Sequence, residues 1–208
     1  GYIDPKEDEQ DNILGEVSGM YVGFSSPTMH VTTVTMRRNA VHHGLLLHGA
    51  EVDQLLAFIF GLKIIPKMKR DFPSIIDIHF TSGTFGSHIV MSIDTDDRGE
   101  IRRAMTAMLT FSNVKKAVIV NKDVDIRNPL EVEWAMATRF QADRDLIIIP
   151  ELKGPVIDPS SGPGFMTTKQ GIDATCPSQK GFERIRFPEE IQNRLPYSIN
   201  ELNIQEKL

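Results

Sequence analysis

The chain has 208 residues, 40% hydrophobic and 25% charged, the mix of an ordinary globular protein with one large or two small domains, which excludes disordered, collagen-like and mucin-like classes. Its formal net charge is −5 and it holds no run of lysines or arginines, so the electrostatic footprint of a nucleic-acid binder is missing. A lone cysteine, Cys176, cannot form an internal disulfide, and no apolar run approaches the roughly 18–20 residues of a membrane span, so the expectation is a cytoplasmic protein with no membrane span.

The acidity is concentrated at the front: residues 1–11 carry a net −4, leaving −1 for the rest. From Ile13 to Val22 glycines alternate with apolar residues, a pattern of short strands and tight turns. The stretch Met29–Met36 is dense in β-branched residues, which suit a pleated surface, and predicts a strand over about 29–37. The character changes after Gly49. Val52, Leu55, Leu56, Ile59 and Leu62 recur at helical spacing, predicting an amphipathic helix of about three turns closed by Pro66. Ser74–Phe80 and Ser87–Ile93 read as two strands joined by the Ser82–Gly86 turn. A helix follows from about Gly99 with Ile101, Met105, Met108 and Leu109 on one face. Ala117–Val120 is wholly apolar, the mark of a strand covered on both faces. Asn128-Pro129 is a helix-start signature, an N-cap before a proline whose missing N–H costs nothing there, and its helix runs to about Arg139. Asp145–Pro150 is the last strong strand, with loop-rich sequence beyond it. The alternation over 50–150 argues an α/β layered domain.

Most polar clusters read as structural. His42, His43 and His48 lack the spacing of a zinc site. Asp123 and Asp125 are expected to cap the loop and helix that follow them, Trp134 to pack in the core, and Arg139 and Arg144, near Asp143 and Asp145, to hold a buried polar network. Gly83–Gly86 is too short and wrongly placed for a dinucleotide loop.

A longer, ordered train of residues carries a family resemblance. D-V-D at Asp123–Asp125, W-A-M-A-T-R at Trp134–Arg139, Arg144-Asp145 and K-Q-G-I-D-A-T at Lys169–Thr175 resemble the carboxy-terminal region of the UbiD-like decarboxylases. At the front, Asp11–Tyr21 resembles the family's E-G-P-F-G-E-x-x-G-Y-Y segment, and Val31–Arg38 the strand after it. The resemblance implies non-oxidative, reversible decarboxylation of an aromatic or α,β-unsaturated acid through a prenylated FMN adduct. Glu16 matches the proton donor of that segment. Asp11 falls on the first acidic position, one methylene shorter than the family's glutamate. Lys169 is the candidate contact to the flavin phosphate.

A general acid must be protonated when needed, so a glutamate serves only where drying or a like charge raises its pKa, and Leu14, Gly15 and Val17 are neighbours suited to drying Glu16. In the family the divalent metal ligands (Mn2+ or a similar ion, with K+ besides) and most flavin contacts precede this segment. The expectation is therefore a fragment or small subunit: residues 1–45 ending a flavin-binding split β-barrel, 46–180 an α/β domain with a mixed sheet, and 181–208 a tail packing on a partner subunit. It would act as a dimer, a hexamer or a complex with a subunit carrying the missing segment, the alternative being a non-catalytic assembly subunit.

Overall fold

The computed structural model describes residues 1–10 (backbone only for 8–10), 14–23 and 25–176. The front of the chain forms two antiparallel ladders. Strand β1 (Tyr2–Gln10) gives way to a short hairpin of β2 (Leu14–Gly15) and β3 (Tyr21–Val22), and β4 (Ser25–His30) then returns along β1. The strand expected over 29–37 stops at His30. Tyr2, the first residue of β1, is His30's partner in the ladder, so the β-branched residues beyond have no strand to pair with there, and Val31, Val34 and Met36 are exposed. Propensity alone does not make a strand.

Helix α1 (Ala50–Asp71) is 22 residues long and continues through Pro66 instead of ending there. Pro66 removes the hydrogen bond to the carbonyl four residues back. Both Pro66 and Leu62 lie on the exposed side of the helix, where water can take up the freed carbonyl. The buried positions of α1 are Val52, Gly61, Ile64 and Met68. They differ from the expected apolar face in all but Val52.

The chain then builds a five-stranded mixed sheet in the order β5-β6-β7-β9-β8. Strands β5 (Ile75–Phe80) and β6 (His88–Ile93) form the expected antiparallel pair. Helix α2 (Arg98–Leu109) crosses to β7 (Lys116–Asn121), parallel to β6. Helix α3 (Pro129–Arg139), the short α4 (Ala142–Asp145) and β8 (Leu146–Lys153) precede β9 (Met166–Asp173), which inserts between β7 and β8. Strand β9 lies in sequence expected to be loop. Its inward positions, Thr167, Lys169, Gly171 and Asp173, are all buried, yet none is a large apolar residue, so the period-2 signal is absent.

Side-chain alternation divides the core in two. One face of the sheet presents Ile78, Phe80, Ile89, Met91, Ala117 and Ile119 to α1 and α2, where Ile101, Met105, Met108 and Leu109 are buried as their spacing predicts. The other presents Val90, Val118 and Val120 to Val132 and Ala135 of α3. Strand β7 is thus covered on both sides, each large apolar side chain contributing about 1.5–3 kcal/mol. Asp97 caps α2 by accepting from Gly99 N at 2.8 Å, and Asn128 caps α3 by accepting from Leu130 N at 3.0 Å. Among the described residues no helix is long and apolar enough to cross a membrane.

Candidate functional site

Glu16 opens the turn between β2 and β3. Its N–H donates to Met20 O at 2.8 Å and its carbonyl accepts from Gly19 N at 2.9 Å. Gly19 adopts φ +77°, and a Cβ there would come within 3.0 Å of the His48 ring, so both backbone and packing call for glycine. His48, from the segment leading into α1, sets its Nδ1 3.2 Å from Val17 O, tying the Glu16 turn to the α/β layer. Beside this turn is a cleft of about 280 Å3 lined by Val17, His48, Asp53 and Gly83. Asp53 accepts from Gly83 N at 2.8 Å and Phe85 N at 2.9 Å, pinning the β5–β6 turn to the first turn of α1. Glu16 is half-buried. Asp11, its expected partner, lies outside the described residues, as does the tail 181–208.

Lys169 stands apart from that turn. It is 1% exposed on β9, and its ammonium donates to Phe111 O at 2.6 Å and Ser112 O at 3.5 Å, just beyond the end of α2. A cation suits the negative end of a helix, but burial pushes this ammonium down to about 8. These contacts make Lys169 a strut between β9 and α2.

Several polar partners differ from expectation. Arg139 pairs with Asp123, at 3.1 and 2.6 Å, instead of Asp143 or Asp145, and its guanidinium lies 4.8 Å from the centre of the Trp134 ring. Asp145 is bound by Arg98 and Arg144. Asp125 does cap its loop, accepting from Arg127 N at 2.9 Å. Unforeseen is the network in which Lys115 donates to Asp158 at 2.8 Å and to Ser160, fastening the 154–162 loop to the start of β7. Burial would raise the Asp158 carboxyl, but the hydrogen bonds from Lys115 and Ser160 outweigh it and hold the acid below its ordinary value. Sequence spacing gives no sign of a pair 43 residues apart. Of the three histidines, His43 contacts Glu51 at 3.0 Å while His48 serves the Glu16 turn. Among the described residues no three His, Cys, Asp or Glu side chains converge as a metal site would require.

A mixed sheet with helices on both faces, entered from two small ladders, defines an α/β layered protein. Residues 53–174 match the family described as the 3-octaprenyl-4-hydroxybenzoate carboxy-lyase C-terminal domain, and the chain belongs to this UbiD carboxy-terminal domain family. It is 34% identical over 166 residues to the anhydromevalonate phosphate decarboxylase of Aeropyrum pernix, covering 78% of this chain and 38% of that protein. It is 29% identical over 214 residues to the gallate decarboxylase of Lactiplantibacillus plantarum, covering 90% and 44%. Among solved structures it is similar to the UbiD-class enzyme HmfF from Pelotomaculum thermopropionicum in complex with FMN, with TM-score 0.83, 34% identity, and coverage of 91% and 44%. The chain spans less than half the length of these relatives.

Proposed function

We propose that this chain is the carboxy-terminal part of a UbiD-class carboxy-lyase. The whole protein removes CO2 reversibly and without net oxidation from an aromatic or α,β-unsaturated carboxylic acid, and Glu16 supplies the proton that replaces it. The observation that carries this reading is the family match across the α/β layer, joined to a Glu16 turn held by His48. In it the β1–β4 and β2–β3 ladders are the last strands of a flavin-binding split barrel, ending near residue 45.

Prenylated FMN, when bound to the whole protein, supplies the sink for the electron pair left by departing CO2. The described residues do not themselves build its site. Lys169, the candidate phosphate contact, donates to two carbonyls, which supports the reading that most flavin and metal ligands belong to the rest of the protein. What this chain contributes is a carboxyl on a rigid turn. The hydrogen bonds across that turn and the His48 contact hold its backbone in place, which lowers the cost of positioning the acid.

The test is CO2 release by the full-length protein, reconstituted with cofactor, with and without Glu16→Gln. A fall of about 10²–10⁴-fold in kcat is expected for loss of a general acid. Unchanged turnover removes Glu16 from the role.

A second reading, an assembly subunit, is favoured by one observation. Leu55, Phe58, Ile59 and Leu62 form a stripe along α1 that is 41%, 64%, 57% and 65% exposed, the pattern of a surface that meets another protein surface.

A further inference from the structure

The outer side of α1 is charged as well as apolar. Beyond the stripe of Leu55, Phe58, Ile59 and Leu62, the helix ends in Lys63, Lys67, Lys69 and Arg70 against Asp71 alone, a net +3. Asp71 is shared, accepting from Lys67 at 2.8 Å and from Arg70 at 2.9 Å. Lys63 and Lys69 are exposed and form no ion pair among the described residues. Lys63 lies one turn beyond Ile59 and Lys69 two turns beyond Leu62, so both continue the apolar stripe. From Leu55 to Lys69 this surface runs about 21 Å at helical rise.

The front ladder has a similar plan and the opposite charge. Ile3 of β1 lies opposite Met29 of β4, and the two are 53% and 63% exposed. Further along β1, register sets Asp8 opposite Pro27 and Glu9 opposite Ser26, and residues 1–11 carry a net −4. Of these acids, Glu7 is already met by His30 at 2.6 Å. From Ile3 to Glu9 is about 20 Å at strand spacing. The two surfaces thus match in length, each apolar at one end, with opposite charge at the other. Both are exposed in a single copy, so neither covers the other within the chain.

We propose that the front ladder of one copy docks on the outer side of α1 of a second copy, with Ile3 and Met29 against Phe58 and Leu62 and the acidic end of β1 towards Lys63 and Lys69. This rests on the assembly reading and names its partner and orientation. Apolar burial supplies the attraction, and charge fixes the direction, because a reversed ladder would set carboxylates on the apolar stripe. Each copy presents both patches, so the contact is heterologous.

Sedimentation of the full 208-residue chain and of two charge-reversed variants, Lys63→Glu with Lys69→Glu and Asp8→Lys with Glu9→Lys, tests it. Each variant alone is expected to associate about tenfold or more weakly than the wild type, because like charges then meet. Mixing the two is expected to restore association, because the acidic front of one then meets the basic helix of the other, and the reverse. Should either variant fail to fold, carbodiimide coupling of the wild type, which joins an ammonium to a touching carboxylate, replaces it. The expected product is a link between chains from Lys63 or Lys69 to the acids of β1. A wild type that stays monomeric removes the assembly reading and this proposal with it. Association that survives both reversals, a mixture no tighter than the variants alone, or links that miss either patch leave that reading standing and overturn the proposed docking.

Discussion

Lys169 shows how one side chain can be placed well and still penalise the fold at neutral pH. Its ammonium reaches two carbonyls past the end of α2, but burial has lowered its pKa from 10.5 to about 8. Between those values the unfolded chain keeps a proton that the folded chain has released, so stability rises with pH across that window, and the full penalty is present below 8. The melting temperature of the wild type minus that of Lys169→Met is therefore expected to climb from pH 8 towards 10.5. A flat difference would show that the ammonium is not desolvated. Arg139 has the reverse character, with its guanidinium buried, doubly bonded to Asp123 and stacked on Trp134. Removing one member of such a pair leaves a charge without its main partner. Arg139→Met is expected to cost about 3 kcal/mol in urea unfolding, and Arg139→Lys to recover only part, because an ammonium cannot bond in the same fork. Sequence placed Arg139 in a buried network but with the wrong carboxylates. Helix α3 carries Arg139 back beside the end of β7, and that return is a tertiary fact.

At the scale of elements, α2 and β9 pack closer at Gly171 than any side chain there would permit. A Cβ on Gly171 would lie 2.5 Å from Met105 Cγ and 2.6 Å from its sulfur. Gly171→Ala is expected to cost about 1–3 kcal/mol through overpacking, and Met105→Ala in the same chain to relieve much of that strain, a coupling that a double-mutant cycle reads directly. The β5–β6 turn depends on α1 in a comparable way. Asp53→Ala leaves the amides of Gly83 and Phe85 without their carboxylate, with an expected loss of about 1–2 kcal/mol and faster hydrogen exchange at those two amides. Helix α2 was legible from its single apolar face and α3 from its Asn128-Pro129 start. Helix α1 was misread because it is apolar on more than one side, so periodicity cannot say which stripe the sheet will cover. Strand β9 was missed because its buried positions hold threonine, lysine, glycine and aspartate.

At the scale of the whole molecule, burial is lopsided: the sheet is covered on both faces, while α1 keeps an apolar stripe outward. Four large apolar side chains at helical spacing favour association once a matching surface is present. Sedimentation of the chain at rising concentration is expected to show self-association that Phe58→Glu with Leu62→Glu abolishes without lowering the melting temperature. A monomer at every concentration would remove the assembly reading. Glu16 belongs to a turn held to the α/β layer through His48, so its position depends on the register of the two.

Local sequence by itself determined the elements whose signals are local: the apolar face of α2, the cap of α3, the apolar strand β7, the hairpin of β5 and β6, and the motif train that marks the family. Each depends on residues within a turn or two of one another, where backbone sterics and side-chain period act directly. Tertiary structure alone decided which stripe of α1 is buried, that β9 enters the sheet between β7 and β8, and that Arg139 meets Asp123. Those outcomes depend on which distant surfaces exclude water from each other, and a strand or charge whose partner lies some 16 to 60 residues away carries no mark of it in its own neighbourhood.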